Sequence, residues 1–307
     1  MNTLPAFAIC ATILAATSAS ANPILRIAKI TDNTYAIIGP LSQRSPENLG
    51  NNATFGLVVT DAGTILIDPG GSYKGAATLH EVIKSITDQP VKYVIDTGGQ
   101  DHRWLGNGYW QDLGAQVIAS KDAVSDQQDR GSMQLTGLTA LIGADMLAGT
   151  EPAYADITFE TDYTLTLGAV TLELHHEGPA HTPGDSTVWL ADGGVLFAGD
   201  IVYMERILGI GPQSNSLEWV ASFEALAALN PSHIIPGHGA PTDLAGATRD
   251  TYDYLINIRS KMAAYIEEGG EIIDSVKIDQ SAFSYLENYE GLYGRNAQEV
   301  FSQMEWE

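Results

Sequence analysis

Beyond Ile24 the chain alternates short apolar runs with turn residues. "ILRIAKI", "TYAII", "FGLVVT" and "TILID" are rich in β-branched side chains and bounded by Gly, Asn, Asp and Thr, the pattern of strands. From Tyr73 to Ile86 the apolar positions recur at helical spacing and predict a helix, which leads into another strand, "VKYVI". The order repeats after a helical stretch around Lys121 to Leu147. Strands are predicted at "ITFE", "YTLTL", "VTLELHH", "STVWL" and "GVLFAGD", then a helix near Leu217 to Leu229 and a last strand at "HIIPG". From Leu244 onward the pattern is mostly helical. Two runs of strands, each closed by helices, predict two sheets packed face to face with helices outside, a four-layer αββα sandwich of the mixed α/β (α+β) class. No low-complexity linker divides the chain. We therefore read residues 22–243 as one αββα domain and residues 244–307 as a helical extension packed on it. Within that extension the Tyr-rich "FSYLENYEGLYGRN" reads as packing, with the edge of a substrate cleft as the alternative.

The first residues add a destination. Residues 1–21 carry no charge, hold an apolar run from Leu4 to Ala16 and end in Ala19-Ser20-Ala21, a small-x-small cleavage pattern. They predict a signal peptide, hence a periplasmic or secreted protein with no stable membrane anchor after cleavage. Cys10 is the only cysteine and would leave with the signal. A mature chain without thiols excludes disulfides, a catalytic cysteine and thiolate ligands, so any metal must be held by His, Asp, Glu or an amide. Composition narrows the partners: 38 acidic against 15 basic residues give a net charge of −23. That balance disfavours nucleic acid, leaves a small-molecule substrate as the expected partner, and suggests a salty habitat.

Three pieces place His or Asp directly after an apolar strand or its turn: "GPAHTPGDS" (178–186), "LFAGD" (196–200) and "IIPGHG" (234–239). A strand end is a rigid platform, and neighbouring Gly and Pro let the backbone turn so that the side chain points across the sheet ends. Together with a fourth piece, "DTGGQDHRWLGN" (96–107), their order resembles the metallo-β-lactamase superfamily from about Ile27 to Pro241. The resemblance implies the αββα fold, ligand roles for His181 and His238, and a metal-bridging role for Asp200. It also implies that Asp68, in "LIDPGG", supports the metal loop without binding metal itself.

The fourth piece departs from the family pattern Thr-His-x-His-x-Asp-His-x-x-Gly-Asn. Thr97, Gly106 and Asn107 match, but both leading histidines are absent. Aligned without a gap, Gly98 and Gln100 replace them, His102 takes the place of the aspartate and Arg103 that of the last histidine. With one residue deleted before Asp101 and one added before Gly106, the Asp101-His102 pair keeps its family role. Both alignments retain His102 and strip one metal position down to His181 and perhaps Gln100. The other position keeps His102, Asp200 and His238, with Asp101 in the gapped alignment. That donor set suits one ion, expected to be zinc, with iron or manganese as alternatives.

A single cation with an open position lowers the pKa of coordinated water from 15.7 toward about 7, which is the chemistry of a hydrolase. Asp200 and Asp101 are the expected acceptors of the water's proton, and Arg103 or Gln100 the expected holder of a developing oxyanion or a substrate carboxylate. The leading reading is an exported hydrolase of a small ester, thioester, lactone or lactam. A second is a metal-free binding or scaffold protein, motivated by Gly98 and Gly99. Against it stands the cost of burying Asp200 unpaired. A third is a non-haem iron enzyme acting on a sulfur compound, as the resemblance allows.

Overall fold

Alternation along the strands sorts their side chains onto two faces. The computed structural model describes residues 24–307, so the signal peptide expected over residues 1–21 lies outside the described residues. The first sheet comprises β1 (Arg26–Lys29), β2 (Thr34–Ile38), β3 (Thr54–Thr60), β4 (Gly63–Ile67), β5 (Val91–Asp96), β6 (Gln116–Ser120) and β7 (Ile157–Phe159), in sequential order. Its first four strands are antiparallel; β4 to β7 run parallel. The second sheet, of β8 (Asp162–Leu167), β9 (Val170–His175), β10 (Thr187–Leu190), β11 (Val195–Phe197) and β12 (His233–Ile235), has the order β12-β11-β10-β9-β8.

The parallel strands need crossovers, and helices supply them. These are α1 (Tyr73–Lys84), α2 (Asn107–Asp112), α3 (Lys121–Ile142) and the short α4 (Ala144–Leu147) on the first sheet, and α5 (Ser216–Ala228) between β11 and β12. Three apolar layers result. Ile65, Ile67, Ile95 and Ile118 face Leu172, Val188, Val195 and Phe197 between the sheets. Phe55, Leu66, Val94 and Val117, on the opposite face of the first sheet, meet Ala76, Leu79 and Trp110 from α1 and α2. Leu196 and Ile234 turn the other way, toward Trp219 and Phe223 of α5. The same third layer takes in α6 (Leu244–Ala247), α7 (Asp253–Glu267) and α8 (Tyr289–Met304) through Ala247, Tyr254, Ile258, Val300 and Phe301. The αββα sandwich expected from the alternation is therefore present.

Two details differ from the sequence reading. α2 and β6 were not anticipated: each is short, and Gly114 separates them without a longer turn signal. The "ITFE" strand belongs to the first sheet, not the second. After the α3–α4 crossover Ile157–Phe159 pairs parallel with β6, and the second sheet starts only at β8. No helix among the described residues is long and apolar enough to cross a membrane.

Candidate metal centre

The strand ends β4, β5, β11 and β12 gather at one edge of the sandwich, and the loops leaving them carry the polar residues singled out above. Asp68 follows β4 with a left-handed backbone (φ 67), a conformation a non-glycine residue keeps only when its surroundings enforce it. Its Oδ1 accepts from the Thr97 N–H (2.9 Å) and hydroxyl (2.8 Å), and its Oδ2 from Arg103 Nη1 (2.6 Å). Asp68 thus ties the start of the 97–103 loop to its end. After β11 the chain turns through Gly199 (φ 50) to Asp200. After β12 it turns through Gly237, where a Cβ would overlap the Gly199 carbonyl and the Arg103 guanidinium. Only glycine allows the two loops to come this close.

His102, Asp200 and His238 are all buried, and their ligand atoms lie within 4.8 Å of one another. His102 Nε2 is 3.1 Å from Asp200 Oδ2 and His238 Nε2 is 3.2 Å from Oδ1. His238 Nδ1 faces the Asn52 carbonyl at 2.8 Å, and a carbonyl only accepts. The proton of neutral His238 therefore sits on Nδ1, and its Nε2 lone pair points at a carboxylate oxygen. Burial, with Arg206 beside it, holds this imidazole neutral, well below its ordinary pKa. Two acceptors facing each other repel unless a cation lies between them, so the donor set fits an ion at this place. Asp101 Oδ1, 3.1 Å from His102 Nδ1, can accept the Nδ1 proton and leave the His102 Nε2 lone pair toward Asp200. Arg44, which only donates, competes for the same Nδ1 at 2.8 Å.

The remaining expected residues are placed as follows. Arg103 does not face the pocket. Its guanidinium is fully buried, forks onto Asp200 through Nε (3.2 Å) and Nη2 (2.7 Å), and reaches Asp68 and the carbonyls of Thr54 and Gly237. With every N–H direction engaged inward it cannot hold an oxyanion, which corrects that expectation. It also corrects the argument that Asp200 would be buried unpaired. Burial alone would raise the Asp200 carboxyl, but Arg103, and then His102, hold it well below the usual range. Asp101 stands outside the three-residue group, on the Nδ1 side of His102, bound by Arg44 and by the His102 N–H (2.8 Å). Burial pushes its carboxyl up, and Arg44 and His102 hold it well below the usual range. The geometry thus brings His102 and not Asp101 to Asp200.

His181 and Gln100 line the pocket in front of His102 and His238, but neither joins the three-residue group. His181 Nδ1 donates to the Gly209 carbonyl at 2.8 Å and its ring packs edge-on against Tyr203 and Trp219, so Nε2 is its free atom. Burial lowers its pKa to about 4. The place of the first missing histidine is filled, not vacant, because a Cβ on Gly98 would overlap Asp185 Oδ1; Gln100 stands at the second. The pocket itself, about 140 Å³, is also lined by Arg44, Arg206 and Arg295. Sequence reasoning missed all three. Each is a single arginine in an otherwise ordinary segment, and only tertiary folding brings them together.

A two-sheet sandwich that gathers imidazole and carboxylate donors at its strand tips defines a class of metal-site proteins. The chain belongs to the metallo-beta-lactamase superfamily, whose profile matches residues 50–238, and that membership supports a metal-dependent hydrolase in general. It is 24% identical over 247 residues to metallo-beta-lactamase type 2 of Elizabethkingia meningoseptica, covering 79% of this chain and 89% of the relative. Its fold is similar to that of a metallo-beta-lactamase from Pontibacter korlensis, with a TM-score of 0.62 and 22% identity over 76% of this chain and 99% of that one. It is also similar to the DIM-1 metallo-beta-lactamase, with a TM-score of 0.58 and 21% identity over 75% and 96%.

Proposed function

We propose that this protein is an exported, single-metal hydrolase that cleaves a small ester, thioester, lactone or lactam. The observation that carries the reading is the acceptor–acceptor contact of His238 Nε2 with Asp200 Oδ1, which a bound cation relieves. His102, Asp200 and His238 would hold the ion, with zinc the expected metal and iron or manganese the alternatives. A bound divalent ion would supply Lewis acidity and a water of lowered pKa. Arg103 keeps Asp200 ionised and in place through its fork. With Asp101 accepting its Nδ1 proton, His102 would present Nε2 to the ion. Because Arg44 and Arg103 hold both carboxyls so far down, neither Asp101 nor Asp200 is matched to accept a proton near neutral pH. His181, neutral and with Nε2 free in the pocket, accepts a hydrogen bond from the attacking water and orients it. Gln100 lines the same pocket and presents an amide to the developing oxyanion. The uncharged leader with its cleavage pattern supports export.

One observation favours a second reading. Arg103 already neutralises Asp200 without any ion, as a metal-free binding protein would require. Metal analysis of the protein purified without added metal, then after reloading and dialysis, separates the two. About one equivalent in the wild type and a loss of most of it in His238→Ala is the expected result. Less than about a tenth of an equivalent in both would leave the metal-free reading in possession. A chromogenic panel of ester, lactone, thioester and lactam substrates then identifies the bond cleaved.

A further inference from the structure

Arginines in this chain mostly have carboxylate partners. Arg103 is matched by Asp68 and Asp200, Arg44 by Asp101, Arg130 by Asp126, Arg249 by Asp250 and Arg259 by Glu307. Arg206 is buried and has none within 4.0 Å among the described residues. Its Nε–H is buried with no acceptor, and its Nη1 meets His238 Nδ1 at 3.4 Å, an atom already donating to Asn52. Asp200 and Glu287 act on it only from longer range. Arg44 also has a buried Nε–H without an acceptor. Arg295, on α8, reaches the same pocket and likewise has no carboxylate within ion-pair distance among the described residues. A guanidinium taken out of water without an anion is costly, and the buried Arg206, with the exposed and likewise unpaired Arg295 lining the same small pocket, asks for an anionic ligand.

We propose that the pocket in front of His102 and His238 is a phosphoryl subsite, in which Arg206, Arg44 and Arg295 hold a compact dianionic phosphoryl group of the ligand. The three come from separate segments: the loop between β2 and β3, the stretch after Asp200, and α8. Three arginines lining one pocket from three segments, with Arg44 Nη2 shared with Asp101, suit a tetrahedral group with three terminal oxygens better than a planar carboxylate with two. The pocket of about 140 Å³ has room for a group of that size. Two of the three arginines, Arg44 and Arg295, lie outside residues 50–238, the span matched by the superfamily profile. The assignment rests on the hydrolase reading only in taking the ligand to be its substrate.

Calorimetric titration of the full chain with inorganic phosphate, sulfate and succinate tests it, first on protein stripped with a chelator and then on reloaded protein. Phosphate and sulfate, both tetrahedral dianions, are expected to bind the stripped protein about tenfold or more tighter than succinate. Arg206→Gln is expected to weaken phosphate about tenfold or more, and the exposed Arg295→Gln about threefold or more, which keeps the test open should the buried variant fold poorly. Phosphate no tighter than succinate, or binding that disappears on stripping and ignores both arginines, overturns the proposal. The binding readout does not depend on turnover, and activity on the substrate panel is measured separately. A catalytically inert protein that still binds phosphate sinks the hydrolase reading alone, and an active one indifferent to phosphate sinks the subsite alone.

Discussion

Arg103 shows how a residue that sequence order places among the catalytic candidates can serve the architecture beneath them. Its fork joins Asp68 after β4 to Asp200 after β11, so one side chain cross-links the two sheets under the metal ligands. Removing one partner of a buried ion pair costs far more than the pair contributes, so Arg103→Met should lower unfolding free energy in urea by about 3–5 kcal/mol. Arg103→Lys, which keeps the charge and loses the fork, should recover only part of it. Asp185 carries a pH signature. Burial, with Asp200 adding to it, lifts its carboxyl from 3.8 to about 8. Because the folded value is the higher one, the fold prefers the protonated acid: stability is full below about pH 4, falls as pH rises through 8, and then levels. Asp185→Asn should abolish that decline and be more stable than wild type at about pH 9, on the order of a few kcal/mol, as read from denaturation midpoints. Its amide can satisfy Thr182 by accepting from the N–H and donating to the hydroxyl. A midpoint that tracks wild type across this range would show that Asp185 is ionised in the fold. Asp200 and His238 were legible because each follows an apolar strand with glycine beside it, and His102 because both alignments to the family pattern retain it. The engagement of Arg103 and Asp101 was not, because both answer to partners far away in sequence.

Strands with period-two alternation were legible because opposite faces meet different layers. Residues 195 and 197 of β11 fill the inter-sheet layer while 196 turns to α5. α2 and β6 were not, being too short to show a period, and the transfer of "ITFE" to the first sheet depended on where the α3–α4 crossover lands. The loop after β5 has its own prediction. With Asp185 filling the space against Gly98, Gly98→His cannot rebuild the absent metal position. It should cost about 1–3 kcal/mol from overpacking and leave the metal content unchanged. A second bound equivalent in that variant would mean that the loop is more yielding than its packing implies. In the outer layer, α5 and the C-terminal helices share one apolar cluster around Trp219, which is fully buried with its indole N–H donating to the Ile201 carbonyl at 2.9 Å. Trp219→Ala should lose about 3–5 kcal/mol and, by slackening the segment after Asp200, weaken metal retention as well. Thermal melts and metal analysis of the same sample read both effects.

At the scale of the whole molecule, a charge of −23 surrounds a pocket walled by three arginines. Self-repulsion of the acidic surface is screened by salt, so the thermal midpoint should climb between about 0.05 and 1 M NaCl. A flat or falling curve removes the expectation of a salty habitat. The surface also repels anions in general, which leaves recognition of a charged ligand to short-range contacts inside the pocket. One wall of that pocket, Leu292 and Arg295, comes from α8, and the Asn288 side chain just before it donates to the Leu41 carbonyl in the loop that carries Arg44 (2.9 Å). Translation delivers that helix roughly fifty residues after His238, on a ribosome that adds about 5–20 residues each second. For those few seconds a nascent chain owns every donor for its ion yet lacks the wall that chooses the guest, so discrimination is the last property the polypeptide acquires.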